Sequence, residues 1–143
     1  MVDLLELKPT DKLLEIGTGT GSQTAVWQKF VKEVHSVELH PEYKVYEPLG
    51  GHVYLSYGDG AKGKPEAAPY DAIVATCGCP EIPPAWVDQL KEGGRLVAPV
   101  GTNAIQKLTL FRKKKGFLAP ERIVAYLRFV MLEREADKWQ AGI

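Results

Sequence analysis

Leu13-Leu14-Glu15-Ile16-Gly17-Thr18-Gly19-Thr20-Gly21 is the stretch that decides the fold. A short apolar run breaks at once into three glycines spaced two apart. The run reads as a buried strand, because it is brief, bulky and followed directly by turn residues. The glycines allow positive φ and leave no Cβ in the path of a ligand. From Gln23 to Val34 the pattern turns helical, with Ala25, Val26, Phe30 and Val34 near one face. Strand, glycine turn and helix together form the unit that binds nucleotide-like ligands at the head of a doubly wound sheet.

The spacing narrows the ligand. A dinucleotide fingerprint wants glycines at its first, third and sixth positions. Counted from Gly17, those positions hold Gly17, Gly19 and Ser22, and the third glycine sits at 21 instead. This spacing disfavours a nicotinamide oxidoreductase. Val34-His35-Ser36-Val37-Glu38 reads as a second strand, ending in the acid expected about 20 residues after the turn. A carboxylate there can accept hydrogen bonds from both ribose hydroxyls. At a strand end it should matter for a ligand and little for stability.

Length and composition bound the rest. The chain has 143 residues, 45% apolar and 25% charged, enough for one domain with a proper core. Eighteen basic residues balance eighteen acidic ones, so bulk charge favours neither nucleic acid nor an anionic membrane as a partner. The sequence contains no apolar stretch of membrane-spanning length and no signal-peptide layout at Met1–Glu6, so the cytoplasm is the expected location. Two cysteines one residue apart, Cys77 and Cys79, suit neither a disulfide framework nor a complete zinc site.

In order, Met1–Leu7 reads as the end of a helix and Lys8–Asp11 as a turn into the first strand. The connection from His40 to Gly51 is short and rich in Pro and Gly, with room for a turn or two of helix. His52–Tyr57 is a third strand, closed by Gly58-Asp59-Gly60. Tyr70–Thr76 is a central strand, small and apolar on both faces. A helix near Ala85–Leu90 should end at a C-cap in Lys91-Glu92-Gly93-Gly94, before a fifth strand at Arg95–Val100. Gln106–Arg112, a solvated Lys-Lys-Lys-Gly turn and Phe117–Leu132 read as antiparallel strands added to one edge. The fold class expected is α/β: a doubly wound, mostly parallel sheet with antiparallel edge strands at the C-terminus.

With these segments in place, the chain resembles the class I S-adenosylmethionine-dependent methyltransferases, and within them the protein-L-isoaspartate O-methyltransferase family. The resemblance rests on Leu14–Gly21 with Gln23–Val26, Ser36-Val37-Glu38, Gly58-Asp59-Gly60 and Ala68–Ile73. It continues through Pro80–Pro83, Gln89–Val97, Pro99-Val100-Gly101 and Arg128-Phe129-Val130. It implies a Rossmann-like methyltransferase fold over residues 1–143 as a single domain, with S-adenosyl-L-methionine as cofactor. It also implies that Gly17, Thr18 and Gly19 line the methionine part and that Glu38 holds the ribose, with Leu39 and His40 beside it. Asp59 and Gly60 would meet the adenine, with Thr76 facing the same crevice. The acceptor implied is a carboxylate of damaged aspartyl residues, so a protein or peptide carrying isoaspartate is the expected partner.

The departures carry expectations of their own. Family members have several dozen residues ahead of the matched stretch, including a serine-containing loop that covers the cofactor. Ser22 stands where an aromatic residue is usual. The resemblance thus implies an N-terminally truncated domain that binds cofactor, methylates slowly or not at all alone, and self-associates as a homo-oligomer. A cofactor-binding module and a methyltransferase with another acceptor are the alternatives.

Other residues carry weaker signals. His35, His40 and His52 are scattered, so no metal site is expected; His40 is placed to touch the adenosine. Cys77 and Cys79 could flank the cofactor, but packing is the reading preferred. Trp27 and Trp86 are expected in the core, and Trp139 has no evident cover. No catalytic base stands out. An acceptor carboxylate, with its reference pKa near 4, is already ionised at neutral pH and needs none.

Overall fold

The computed structural model describes residues 2–135, with side chains from Leu4 onward. Trp139 lies outside them. The described residues form one seven-stranded sheet in the order β3-β2-β1-β4-β5-β6-β7. β1 (Lys12–Ile16), β2 (Glu33–Glu38), β3 (Val53–Tyr57), β4 (Tyr70–Ala75) and β5 (Leu90–Gly101) run parallel. β6 (Gln106–Lys114) and β7 (Phe117–Leu127) follow antiparallel at one edge. The α/β expectation holds in order and direction. The strand order reverses between β1 and β4, and an open parallel sheet binds its ligands at such a switch point, beyond the carboxyl ends of the strands.

Alternate residues of the central strands supply two cores, one on each face. Leu13, Val34, Ala72, Val74 and Val97 pack with Leu5 of α1 (Val2–Leu5) and Trp27 of α2 (Ser22–Trp27). Leu14, Val37, Ile73, Ala75 and Leu96 pack with Trp86 of α3 (Pro84–Gln89). Both tryptophans are fully buried, and a buried indole N–H needs an acceptor. Trp27 donates to the Glu15 carboxylate at 2.9 Å and Trp86 to the Gly60 carbonyl at 2.7 Å. α2 is thereby tied to β1, and α3 to the loop after β3 at the carboxyl end of the sheet. At the other end, Arg95 and Asp11 form a buried ion pair at 2.6 Å.

Four local expectations are corrected. The helix after the glycine turn, α2, stops at Trp27 instead of reaching Val34; Phe30 is 43% exposed and Val34 already belongs to β2. Lys32 N–H and Glu33 N–H both donate to the Asp11 carbonyl, which starts the strand early. The His40–Gly51 connection contains no helix. α3 has no glycine C-cap, because Leu90 is extended and pairs with Tyr70, making 90–94 the start of β5. The Lys113 ammonium, expected in solvent, instead donates to the Val87 and Leu90 carbonyls at 2.7 and 2.8 Å, where it caps the helix. Lys115 and Gly116, both at positive φ, make the hairpin turn.

Candidate cofactor cleft

The glycine turn is built from beneath. Glu15 is fully buried on β1 and accepts hydrogen bonds from the Thr24 hydroxyl, the Ser36 hydroxyl at 2.6 Å and Trp27. Ser36 in turn shares a hydrogen bond with Thr18 at 2.6 Å, so β1, β2, α2 and the turn are tied through one carboxylate. Burial pushes the Glu15 carboxyl above the usual range, against the pull of its three donors.

Gly17 donates to the Val37 carbonyl at 2.9 Å, and the Thr76 hydroxyl donates to the Gly17 carbonyl at 2.8 Å. Gly17 has φ +96°, and a Cβ there would lie 2.7 Å from the Thr76 Oγ1. Only glycine fits. Glu38 ends β2 with its carboxylate turned to the turn: Gly19 N–H donates to Oε1 at 2.8 Å and His40 N–H to Oε2 at 3.1 Å. Each oxygen keeps a second lone pair.

Above these strand ends lies a cleft of about 290 Å³. Of the residues expected at the site, Gly17, Gly19, Glu38, Leu39, His40, Gly60 and Thr76 line it. Thr18 lies beside it, on a small neighbouring cavity, with its hydroxyl turned to Ser36. Asp59 lines a third cavity next door and caps the 3₁₀ turn Gly60–Lys62 by accepting from Ala61 N–H at 3.0 Å. That cap fixes Gly60, whose missing Cβ leaves room for Ile16; a Cβ would sit 2.7 Å from its Cγ2.

Sequence reasoning missed the opposite wall. Tyr43, Cys77 and the segment Val130, Met131, Leu132 and Glu133 also line the cleft. Cys77, read as packing, is half-buried on this wall, with its thiol pushed up to about 12 by burial; Cys79 is buried in the core as expected. Residues 128–132 were expected to extend the last strand, which ends at Leu127. No periodic pattern marks 129–133, because its contacts come from residues more than 20 positions away.

The histidines occupy separate places. His35 is buried on β2, stacked on Tyr54 at 4.9 Å, and His52 binds the Gln28 carbonyl. Only His40 reaches the cleft. Among the described residues, no group of three His, Cys, Asp or Glu side chains gathers to hold a metal. No helix among them is long and apolar enough to cross a membrane.

A mostly parallel sheet with this glycine turn, and a cleft at its switch point, defines a Rossmann-like fold of the methyltransferase class. One solved chain described as a protein-L-isoaspartate O-methyltransferase superposes with a TM-score of 0.82 at 32% identity, covering 92% of this chain and 45% of its own length. Another, a putative enzyme of that name from Plasmodium falciparum, has a TM-score of 0.67 at 21% identity and supports the fold alone. It covers 94% of this chain and 70% of its own.

Residues 1–137 match the family model described as Protein-L-isoaspartate(D-aspartate) O-methyltransferase (PCMT). Among curated relatives, the protein-L-isoaspartate O-methyltransferase of Christiangramia forsetii is 46% identical over 136 residues, 91% of this chain and 63% of the relative. That of Flavobacterium psychrophilum is 50% identical over 118 residues, 78% and 55% respectively. The chain belongs to the protein-L-isoaspartate(D-aspartate) O-methyltransferase family. It spans about 52–64% of the length of these and similar relatives.

Proposed function

We propose that the protein binds S-adenosyl-L-methionine in this cleft and transfers its methyl group to the carboxylate of an isoaspartyl residue in a damaged protein. The observation carrying this reading is the Glu38 carboxylate, turned toward Gly19 at the head of the glycine turn in a chain of this family. The residues fit such a ligand. Gly17 and Gly60 keep side chains out of the floor, and Gly19 has no atom within 4 Å of a built Cβ. The cleft is near the lower end of the size range for small-molecule sites.

In this reading Glu38 accepts from the ribose hydroxyls through its remaining lone pairs, with Leu39 and His40 beside it. Gly17 and Gly19 admit the methionine part, and Thr18 holds the turn's shape through Ser36. Gly60, fixed by Asp59 and Trp86, borders the adenine end; Thr76 holds the Gly17 carbonyl in place. The bound cofactor supplies an electrophilic methyl group on a sulfonium. An acceptor carboxylate is ionised at neutral pH, so alignment rather than a general base carries the chemistry. We also read residues 1–143 as one domain. A cytoplasmic setting suits the free thiols of Cys77 and Cys79.

The test is transfer of a radiolabelled methyl group to an isoaspartyl peptide beside its aspartyl twin. The readout is discrimination, not rate: label confined to the isoaspartyl peptide is expected. Equal labelling of both peptides, or label confined to the aspartyl twin, would reject the acceptor.

A further inference from the structure

The opposite wall of the cleft is a short extended segment held very differently at its two ends. At the inner end, Gly78 N–H donates to the Val130 carbonyl at 2.8 Å; further out, next to Glu133, Leu132 N–H donates to the Gly78 carbonyl at 2.7 Å. Gln106, fully buried at the start of β6, grips Phe129 like a backbone pair. Its Oε1 accepts from Phe129 N–H at 2.7 Å, and its Nε2 donates to the Phe129 carbonyl at 3.1 Å. The same Nε2 donates to the Thr102 carbonyl at 2.9 Å. A Cβ on Gly78 would lie 2.6 Å from this amide, so the inner anchor is closely packed.

The outer end is held across the cleft by one imidazole. His40, on the loop after β2, places Nε2 on the Glu133 carboxylate and Nδ1 on Glu42 at 3.0 Å. Among the described residues, the charged and titratable groups shown in contact with it are these two carboxylates, Tyr43 at 4.9 Å between ring centroids, and Glu38, which binds its backbone N–H. Carboxylates only accept, so both ring nitrogens must donate, and that requires the imidazolium. A neutral ring has one N–H and would turn a lone pair toward an acid. Burial lowers the His40 pKa, but the bonds to Glu133 and Glu42 outweigh it and hold it above the usual histidine range.

We propose that Val130–Glu133 is a strap across the cleft, fixed at Gln106 and clasped at its far end by His40, and that opening of this clasp sets how fast the cofactor leaves. The statement about the cofactor rests on the S-adenosylmethionine reading above. The clasp is closed below the raised pKa of His40 and opens as pH rises through it. Its groups are partly exposed, so opening changes rates modestly, about three- to tenfold.

Two measurements on the full chain test this, with Glu133→Gln beside the parent. The first needs no ligand: the hydrogen-exchange protection of the Leu132 amide, corrected for intrinsic rate, at about pH 6 and pH 9. It should fall about three- to tenfold with rising pH in the parent and stay low at both values in Glu133→Gln, while the Gly17 amide is unchanged. The second is dissociation of S-adenosylhomocysteine, which should be faster by a similar factor at high pH in the parent and lose that pH step in the variant. A variant that dissociates faster by one constant factor, with the step intact, has lost a direct contact, and the clasp is refuted. The same Leu132 protection and dissociation in both proteins at both pH values also refute it, leaving the cofactor reading standing. A Leu132 response without any S-adenosylhomocysteine binding supports the clasp and rejects the cofactor reading.

Discussion

Replacing Glu15 with alanine is expected to destabilise the protein by about 3–5 kcal/mol and to abolish cofactor binding with it. The carboxylate is the shared acceptor for Thr24, Ser36 and Trp27, all in the interior. Removing it leaves three buried donors without a partner, each costing about 1–3 kcal/mol, and opens a cavity beside Trp27. Relief of a desolvated charge offsets part of the sum. Glu15→Gln keeps the volume and one acceptor oxygen but points an amide N–H₂ at one set of donors, so a loss of about 2–3 kcal/mol is expected. Urea denaturation measures both. The pH dependence separates charge from packing. With its pKa raised by burial, Glu15 binds its proton more tightly in the folded state. Its contribution is therefore full below the ordinary carboxylate value and is lost as pH rises through the raised one. Glu15→Gln should flatten that fall; an unchanged slope would mean that another group causes it.

Replacing Glu38 with alanine is expected to weaken S-adenosylhomocysteine binding roughly ten- to a hundredfold, the value of about 1.5–3 kcal/mol for hydrogen bonds to a charged group. Read as a strand-end carboxylate, the residue should leave stability untouched. The structure changes that expectation, since Glu38 holds the backbone N–H groups of Gly19 and His40 and is only 8% exposed. An accompanying stability loss of about 1–2 kcal/mol is therefore expected, limited because water in the cleft can reach the freed donors. Glu38→Gln, which keeps one oxygen, should recover part of both effects. If Glu38→Ala binds the ligand like the parent in its folded fraction, the residue only shapes the turn.

Of these two residues only Glu38 could be singled out in the sequence. Glu38 was legible because an acid about 20 residues after a glycine turn has a known use. Glu15 was legible only as part of an apolar run; its partners Ser36, Thr24 and Trp27 lie 9 to 21 positions away, and sequence periodicity carries no trace of them. The parallel core was readable because Leu13–Ile16 and Tyr70–Ala75 are apolar on both faces, as only a strand covered on both sides needs to be.

Helix limits were less readable. The helical spacing through Phe30 and Val34 continues past Trp27, but the Asp11 carbonyl captures Lys32 and Glu33 for the sheet, so a tertiary contact overrides the local pattern. The strap over the cleft was hidden for the same reason. Nothing within Phe129–Glu133 requires it to leave the strand direction; Gln106 and Gly78 impose that from elsewhere.

The central claim is that the cleft at Gly17, Gly19 and Glu38 takes S-adenosylmethionine and not a dinucleotide. Calorimetric titration of the full chain with S-adenosylhomocysteine and, separately, with NAD tests it most directly. The account predicts saturable binding of S-adenosylhomocysteine, weakened in Glu38→Ala, and no binding of NAD. Tighter binding of NAD, or no binding of S-adenosylhomocysteine by protein shown to be folded, would contradict it.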